Sequence, residues 1–166
     1  LINTTEKAAL DKVVYSVLNQ NFDDFELIVV DRENFQFNNA FLDDKRIRII
    51  KIPEEFNMPK LLNESARQAN SELVCFLDSS DLLLFDSLKV RYQTFCSNPE
   101  CVCVYGFGLE TDQDFNPCDS EQNNYFYKAL PLPENTLQSF INLSIYPQIS
   151  SFMLKKEVFD RIEFNE

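Results

Sequence analysis

Apolar and polar positions alternate along this chain in blocks that change period. Leu10, Val13, Val14, Val17 and Leu18 recur at helical spacing, and Thr4 or Thr5 stands where it can cap that helix. Residues 19–24 form a polar turn. Residues 25–30 are a short apolar run ending at Asp31, the pattern of a buried strand. Residues 36–45 carry a weaker, partly helical pattern. Residues 46–52 alternate apolar and polar and predict a strand that Pro53 closes. Residues 58–70 predict a second helix with Leu61, Leu62, Ser65, Ala66 and Ala69 on one face.

The run at residues 73–77 is too short for a typical helix and predicts a strand buried on both faces. Asp86 then stands to cap a third helix with Leu88, Tyr92 and Phe95 facing inward, ended by Asn98-Pro99. Residues 101–109 predict a further strand. From Glu110 the character changes: residues 112–124 are polar, and residues 134–143 predict a helix. Residues 148–154 predict a strand and residues 155–162 a short helix. Strands alternating with helices imply parallel βαβ units with right-handed crossovers, hence an α/β, doubly wound, mostly parallel sheet.

At 166 residues the chain is about one domain, and 45% hydrophobic content with 16 Phe supplies a core. Phe22, Phe25, Phe76 and Phe152 are expected there. The formal charge is −12, with no long basic run, which argues against nucleic acid or an anionic membrane as partner. No apolar stretch is long enough to span a bilayer. The absence of His excludes Ser-His-Asp and Cys-His nucleophile systems within the chain and leaves carboxylates as candidate bases. Five cysteines, with no C-x-x-C pair, read as reduced thiols rather than a zinc site.

The strand at residues 73–77 stops at Asp78, and Asp81 follows. In open α/β sheets ligands sit beyond the carboxyl ends of the strands. Two carboxylates at such an edge repel, so a shared proton, a cation or open water must accommodate them. A divalent metal carrying a phosphate ester satisfies both acids. Without further information, a solvated turn explains the pair as well. The acids Asp112, Asp114, Asp119 and Glu121 read as a solvated loop. Tyr125-Phe126-Tyr127 reads as core, with a sugar platform as the alternative.

Three segments, in order, resemble family 2 glycosyltransferases, which have the GT-A (Rossmann-like) fold. Ser16 to Asp31 is similar to the family's first helix and second strand. Phe76-Leu-Asp-Ser-Ser-Asp-Leu-Leu with Asp86-Ser-Leu-Lys resembles its "FLDSDDLL-PDKLE" metal-binding segment. Phe152 to Ile162 resembles the segment returning from the acceptor side. The resemblance implies one GT-A domain over residues 1–166. Residues 1–110 would form the nucleotide-sugar-binding part and residues 111–166 an incomplete acceptor-side part. It implies transfer of a sugar, with inversion, from a nucleotide sugar (a UDP- or GDP-sugar) to a saccharide or glycolipid acceptor, in polysaccharide or glycoconjugate synthesis. It also implies Mn²⁺ or Mg²⁺ as cofactor. The implied location is the cytoplasm, with attachment at the inner face of the membrane through parts outside this chain.

Carried over residue by residue, the resemblance puts Thr4 and Asp31 on the nucleotide, and Asp81 and Asp78 on the metal, Asp81 foremost. The first strand is nearly missing before Leu1, and the catalytic base is expected beyond Glu166. Several positions depart from the family pattern. Arg32 and Glu33-Asn34 replace acid, Gly and Ser; Ser80 replaces the central acid; Leu62 replaces a phosphate-side Arg, while Asn63 is kept; Ser65 and Ser71 replace Gly. These losses define the alternative: a degenerate, inactive GT-A domain serving as a binding or partner module. A third reading, a phospho-acceptor receiver, lacks its paired acids after a first strand.

Overall fold

The computed structural model describes residues 7–32, 39–53, 55–106, 108–112, 116–118 and 148–164. In chain order the helices and strands are α1 (Lys7–Leu18), β1 (Leu27–Asp31), α2 (Asn39–Leu42), β2 (Ile47–Lys51), α3 (Met58–Gln68), β3 (Leu73–Cys75), α4 (Ser87–Ser97), β4 (Cys103–Tyr105) and β5 (Phe152–Lys155). Short 3-10 turns at Ile149–Ser151 and Lys156–Asp160 flank β5.

The α/β expectation holds. β1 and β2 pair in parallel, from Leu27 opposite Ile47 to Asp31 opposite Lys51. Alternate side chains of β1 point to opposite faces. Leu27 and Val29 pack on Leu10, Val13, Val14 and Val17 of α1, while Val30 packs on Leu61 of α3 and on Ile52. Helices therefore cover both faces, the doubly wound arrangement. β5 lies antiparallel between β3 and β4, which consequently run in the same direction. α4 makes the crossover from β3 to β4 and buries Leu88 and Phe95 against Met153 of β5.

α3 shows how local chemistry sets an element. Asn57 accepts the Lys60 N–H at 3.0 Å, and Pro59 occupies the first turn, where its missing N–H costs nothing. Lys156 donates to the carbonyls of Arg67 (3.2 Å) and Ala69 (2.5 Å) at the other end. Leu62 and Ala66 then pack with Val74, Phe76 and Phe159.

Several expectations are corrected. Tyr92 faces outward, against Phe22 at 5.1 Å between ring centroids, and the inward position on α4 is taken by Arg91. Asp86 does occupy the N-cap position, but its carboxylate bonds Asn21 and not the helix. The strand expected at residues 148–154 begins only at Phe152, because residues 149–151 close a 3-10 turn through Ser151 N to Gln148 O at 2.9 Å. β3 is shorter than its apolar run: Phe76 and Leu77 are buried but extend past the partner strand. Phe22, Phe25 and Phe152 are half-buried, and only Phe76 of the four is fully enclosed. The helix expected at residues 134–143, the aromatic run 125–127, and Asp114, Asp119 and Glu121 lie outside the described residues.

A cavity of about 470 Å³ separates β1 from β3, bounded by Leu27, Ile28, Leu73 and Val74, with Ser65 and Ala66 of α3 beside them. Among the described residues no strand pairs with the two facing edges.

Candidate functional site

The chain leaves β3 and turns at once. Asp78 Oδ1 accepts from the Ser80 N–H at 2.9 Å and the Ser80 hydroxyl at 2.7 Å, and the Asp81 N–H donates to Asp78 O at 3.1 Å. This is a turn in which an aspartate side chain stands in for a backbone acceptor. It brings the two acids to the carboxyl end of β3, both half-buried.

Ser150, in the turn before β5, joins them. Its hydroxyl donates to Asp81 Oδ2 at 2.5 Å and accepts the Asp78 N–H at 3.0 Å. Ser150 is itself buried, and its carbonyl accepts from Arg91 Nη1 at 3.0 Å. Arg91 is buried beneath the loop on α4. Burial costs a guanidinium much of its hydration, and carbonyl oxygens compensate part of that cost. The same guanidinium opposes the effect of burial on the neighbouring Cys75 thiol, where burial wins and pushes its pKa up.

The far end of the acidic loop is fastened by the α1–β1 turn. Buried Gln20 donates to Leu84 O at 2.8 Å and accepts the Leu88 N–H at 3.0 Å, so a side chain remote in sequence caps α4. Asn21 N donates to Phe85 O at 2.9 Å, and the Leu83 N–H reaches Ser16 Oγ at 3.2 Å. The loop between β3 and α4 is thus held from both ends.

Asp31 is buried at the carboxyl end of β1, opposite Lys51. Its neighbour Arg32 turns aside: Nη2 donates to Phe56 O at 3.0 Å. Thr4 lies outside the described residues, as do Glu33 and Asn34. Leu62 is in the core. The Ser65 hydroxyl is absorbed by its own helix, donating to Leu61 O at 2.7 Å.

The donor chemistry defines which cation could sit here. Among the described residues no cluster of three or more His, Cys, Asp or Glu side chains is arranged to hold a metal. Two carboxylates are present, and one oxygen of Asp78 is committed to Ser80. That set fits a hard cation that brings phosphate oxygens with it, rather than one held in a cage made wholly of protein. None of the five cysteines is in a disulfide.

The sequence singles out the two acids but not the residues that position them. Arg91 shares the α4 face of Leu88 and Phe95, and a cation inside an apolar stripe was the available signal. Gln20 and Ser150 carry no such signal, since polar residues in turns are ordinary.

The family profile described as glycosyl transferase family 2 matches residues 2–162. No curated protein matches the sequence. Among solved structures, S. aureus TarS 1-349 superimposes with a TM-score of 0.61 at 16% identity, over 96% of this chain and 46% of that one. S. aureus TarS 1-349 in complex with UDP gives a TM-score of 0.57 at 18% identity, over 96% and 47%. The chain therefore spans less than half of those structures.

Proposed function

The chain belongs to glycosyl transferase family 2, with the GT-A α/β fold, and on that premise we propose that it forms the donor side of a glycosyltransferase using a nucleoside-diphosphate sugar. The observation that carries the reading is the Asp78–Asp81 pair, fixed at the carboxyl end of β3 in this fold. Asp81 would hold Mn²⁺ or Mg²⁺ through its Oδ1, with Asp78 adjoining. Such an ion supplies Lewis-acid stabilisation of charge on the departing diphosphate. Asp31 would meet the nucleoside at the end of β1, and Thr4 belongs to the same nucleotide side. An acceptor hydroxyl of a saccharide or glycolipid attacks the anomeric carbon as the bond to the diphosphate oxygen breaks. Its proton passes to a carboxylate base, which we place outside the described residues. Direct displacement of this kind inverts the anomeric centre.

Residues 1–110 supply the donor side and residues 111–166 the acceptor side, sharing one sheet through β5. The proposed setting is polysaccharide or glycoconjugate assembly in the cytoplasm. No helix among the described residues is long and apolar enough to cross a membrane. A uridine nucleotide is the first donor class to test, because a solved neighbour of the same fold holds UDP.

One observation favours a second reading, a binding module without transfer. Ser80 stands in place of an acid and occupies Asp78 Oδ1, which thins the metal's ligand set. The test is a thermal-shift panel of UDP, GDP and CDP, each with and without Mn²⁺, on the protein containing this chain. A shift needing both nucleotide and metal supports a donor site, and no shift with any pair contradicts it. Hydrolysis or transfer of the matching nucleotide sugar then separates enzyme from binding module.

A further inference from the structure

Resting on that reading, we infer that Ser150 and Arg91 are positioning residues that fix which oxygen of Asp81 is presented to the nucleotide's metal. The Ser150 hydroxyl has one proton, and it goes to Asp81 Oδ2 at 2.5 Å. Its lone pair takes the Asp78 N–H at 3.0 Å, so the hydroxyl cannot rotate away without breaking a second bond. The described hydrogen bonds leave Asp81 Oδ1 open. A carboxylate torsion is otherwise broad and nearly two-fold, and either oxygen could face the ligand. Ser150 removes that freedom and selects one-oxygen coordination.

Ser150 is held in turn from below. Arg91 Nη1 donates to its carbonyl at 3.0 Å, and Arg91 is anchored on α4 between buried Leu88 and Phe95. On the other side, Gly106 N donates to Ser151 O at 3.0 Å and the Ser151 hydroxyl donates to Gln148 O at 2.6 Å. The 3-10 turn before β5 is therefore rigid where it meets the acidic loop. Residues remote in sequence, on α4 and before β5, set the geometry of a ligand on the β3–α4 loop. Partners of this kind, one bond removed from a metal, govern its affinity.

The test is calorimetric. Mn²⁺ is titrated into protein at fixed UDP, GDP or CDP, whichever binds, and the same nucleotide is titrated without metal. Ser150→Ala is expected to raise the half-saturating Mn²⁺ concentration about tenfold, with metal-free nucleotide affinity unchanged. Ser150→Thr, which restores the hydroxyl, is expected to recover most of the loss. Arg91→Lys, which keeps charge but not the planar donor, is expected to fall between. Should the alanine variant not fold, Ser150→Cys keeps the shape, weakens the donor, and is expected to show the same shift at reduced size. Unchanged Mn²⁺ dependence in these variants overturns the inference. So does an equal loss with and without metal, which would mark a merely structural role. A wild-type protein with no metal-dependent nucleotide binding overturns both the inference and the donor reading beneath it.

Discussion

Asn63 and the backbone of Phe164 hold each other by two hydrogen bonds across 101 residues: Asn63 Nδ2 donates to Phe164 O at 3.1 Å, and the Phe164 N–H donates to Asn63 Oδ1 at 2.9 Å. Asn63 is buried on α3, so both bonds form away from competing water. Asn63, a position kept from the family pattern, thereby ties α3 to the segment after β5.

Asn63→Ala is therefore expected to lower unfolding stability by about 2 kcal/mol, measured by urea denaturation. Because the role is structural, the Mn²⁺ dependence of nucleotide binding in the folded variant is expected to match wild type. A selective loss of nucleotide affinity, with stability intact, would contradict that structural role.

Gln20 carries the second expectation. It satisfies Leu84 O and the Leu88 N–H from the end of α1, with a further bond to Ser16 O at 3.0 Å. Gln20→Ala leaves the Leu88 N–H buried without its acceptor and is expected to cost about 1–3 kcal/mol. Hydrogen exchange is expected to speed up selectively over residues 82–88.

The pH dependence has a local source at the entrance to β2. The Arg46 guanidinium donates to both Asp44 oxygens, at 3.1 and 2.8 Å, and the Arg46 N–H adds a third bond at 2.9 Å. These bonds hold the Asp44 carboxyl at about 2, below its ordinary 3.8. A lowered folded-state pKa means the stabilisation is complete above the unfolded value and is lost as pH falls through the folded one. The pair is partly exposed, so its worth at neutral pH is below about 1 kcal/mol. Asp44→Asn is expected to narrow the stability gap to wild type as pH falls from about 5 towards about 2, followed by denaturation midpoints across that range.

How much of this was legible in the sequence differs by scale. The 3.6 period placed Leu10, Val13, Val14 and Val17 of α1 and Leu61, Leu62 and Ala66 of α3 in the core, where they lie. The apolar runs located β1 and β3, because a strand covered on both faces has no polar alternation to obscure it. Asp78 and Asp81 stand out in the sequence because they follow such a run. β5's place between β3 and β4 is invisible there: strand order depends on pairing between segments distant in sequence, Leu73 with Lys155 and Tyr105 with Phe152, which no local period encodes. Positions 88, 91, 92 and 95 fit one helical stripe with either 91 or 92 inward, and the apolar ring of Tyr92 makes it the expected choice over the charged Arg91, the reverse of what the fold shows. The Ser150 bridge was hidden for the same reason as β5, on whose placement it depends.

The most direct test of the central claim is isothermal titration of UDP, GDP and CDP with and without Mn²⁺, on wild type and on Asp81→Asn, an isosteric change that removes the charge. The account expects one nucleotide to bind wild type only, or far more tightly, with Mn²⁺ present. It expects Asp81→Asn to abolish that gain while the fold, monitored by circular dichroism, is retained. Metal-dependent binding that survives in Asp81→Asn, or no nucleotide binding to wild type, would contradict it.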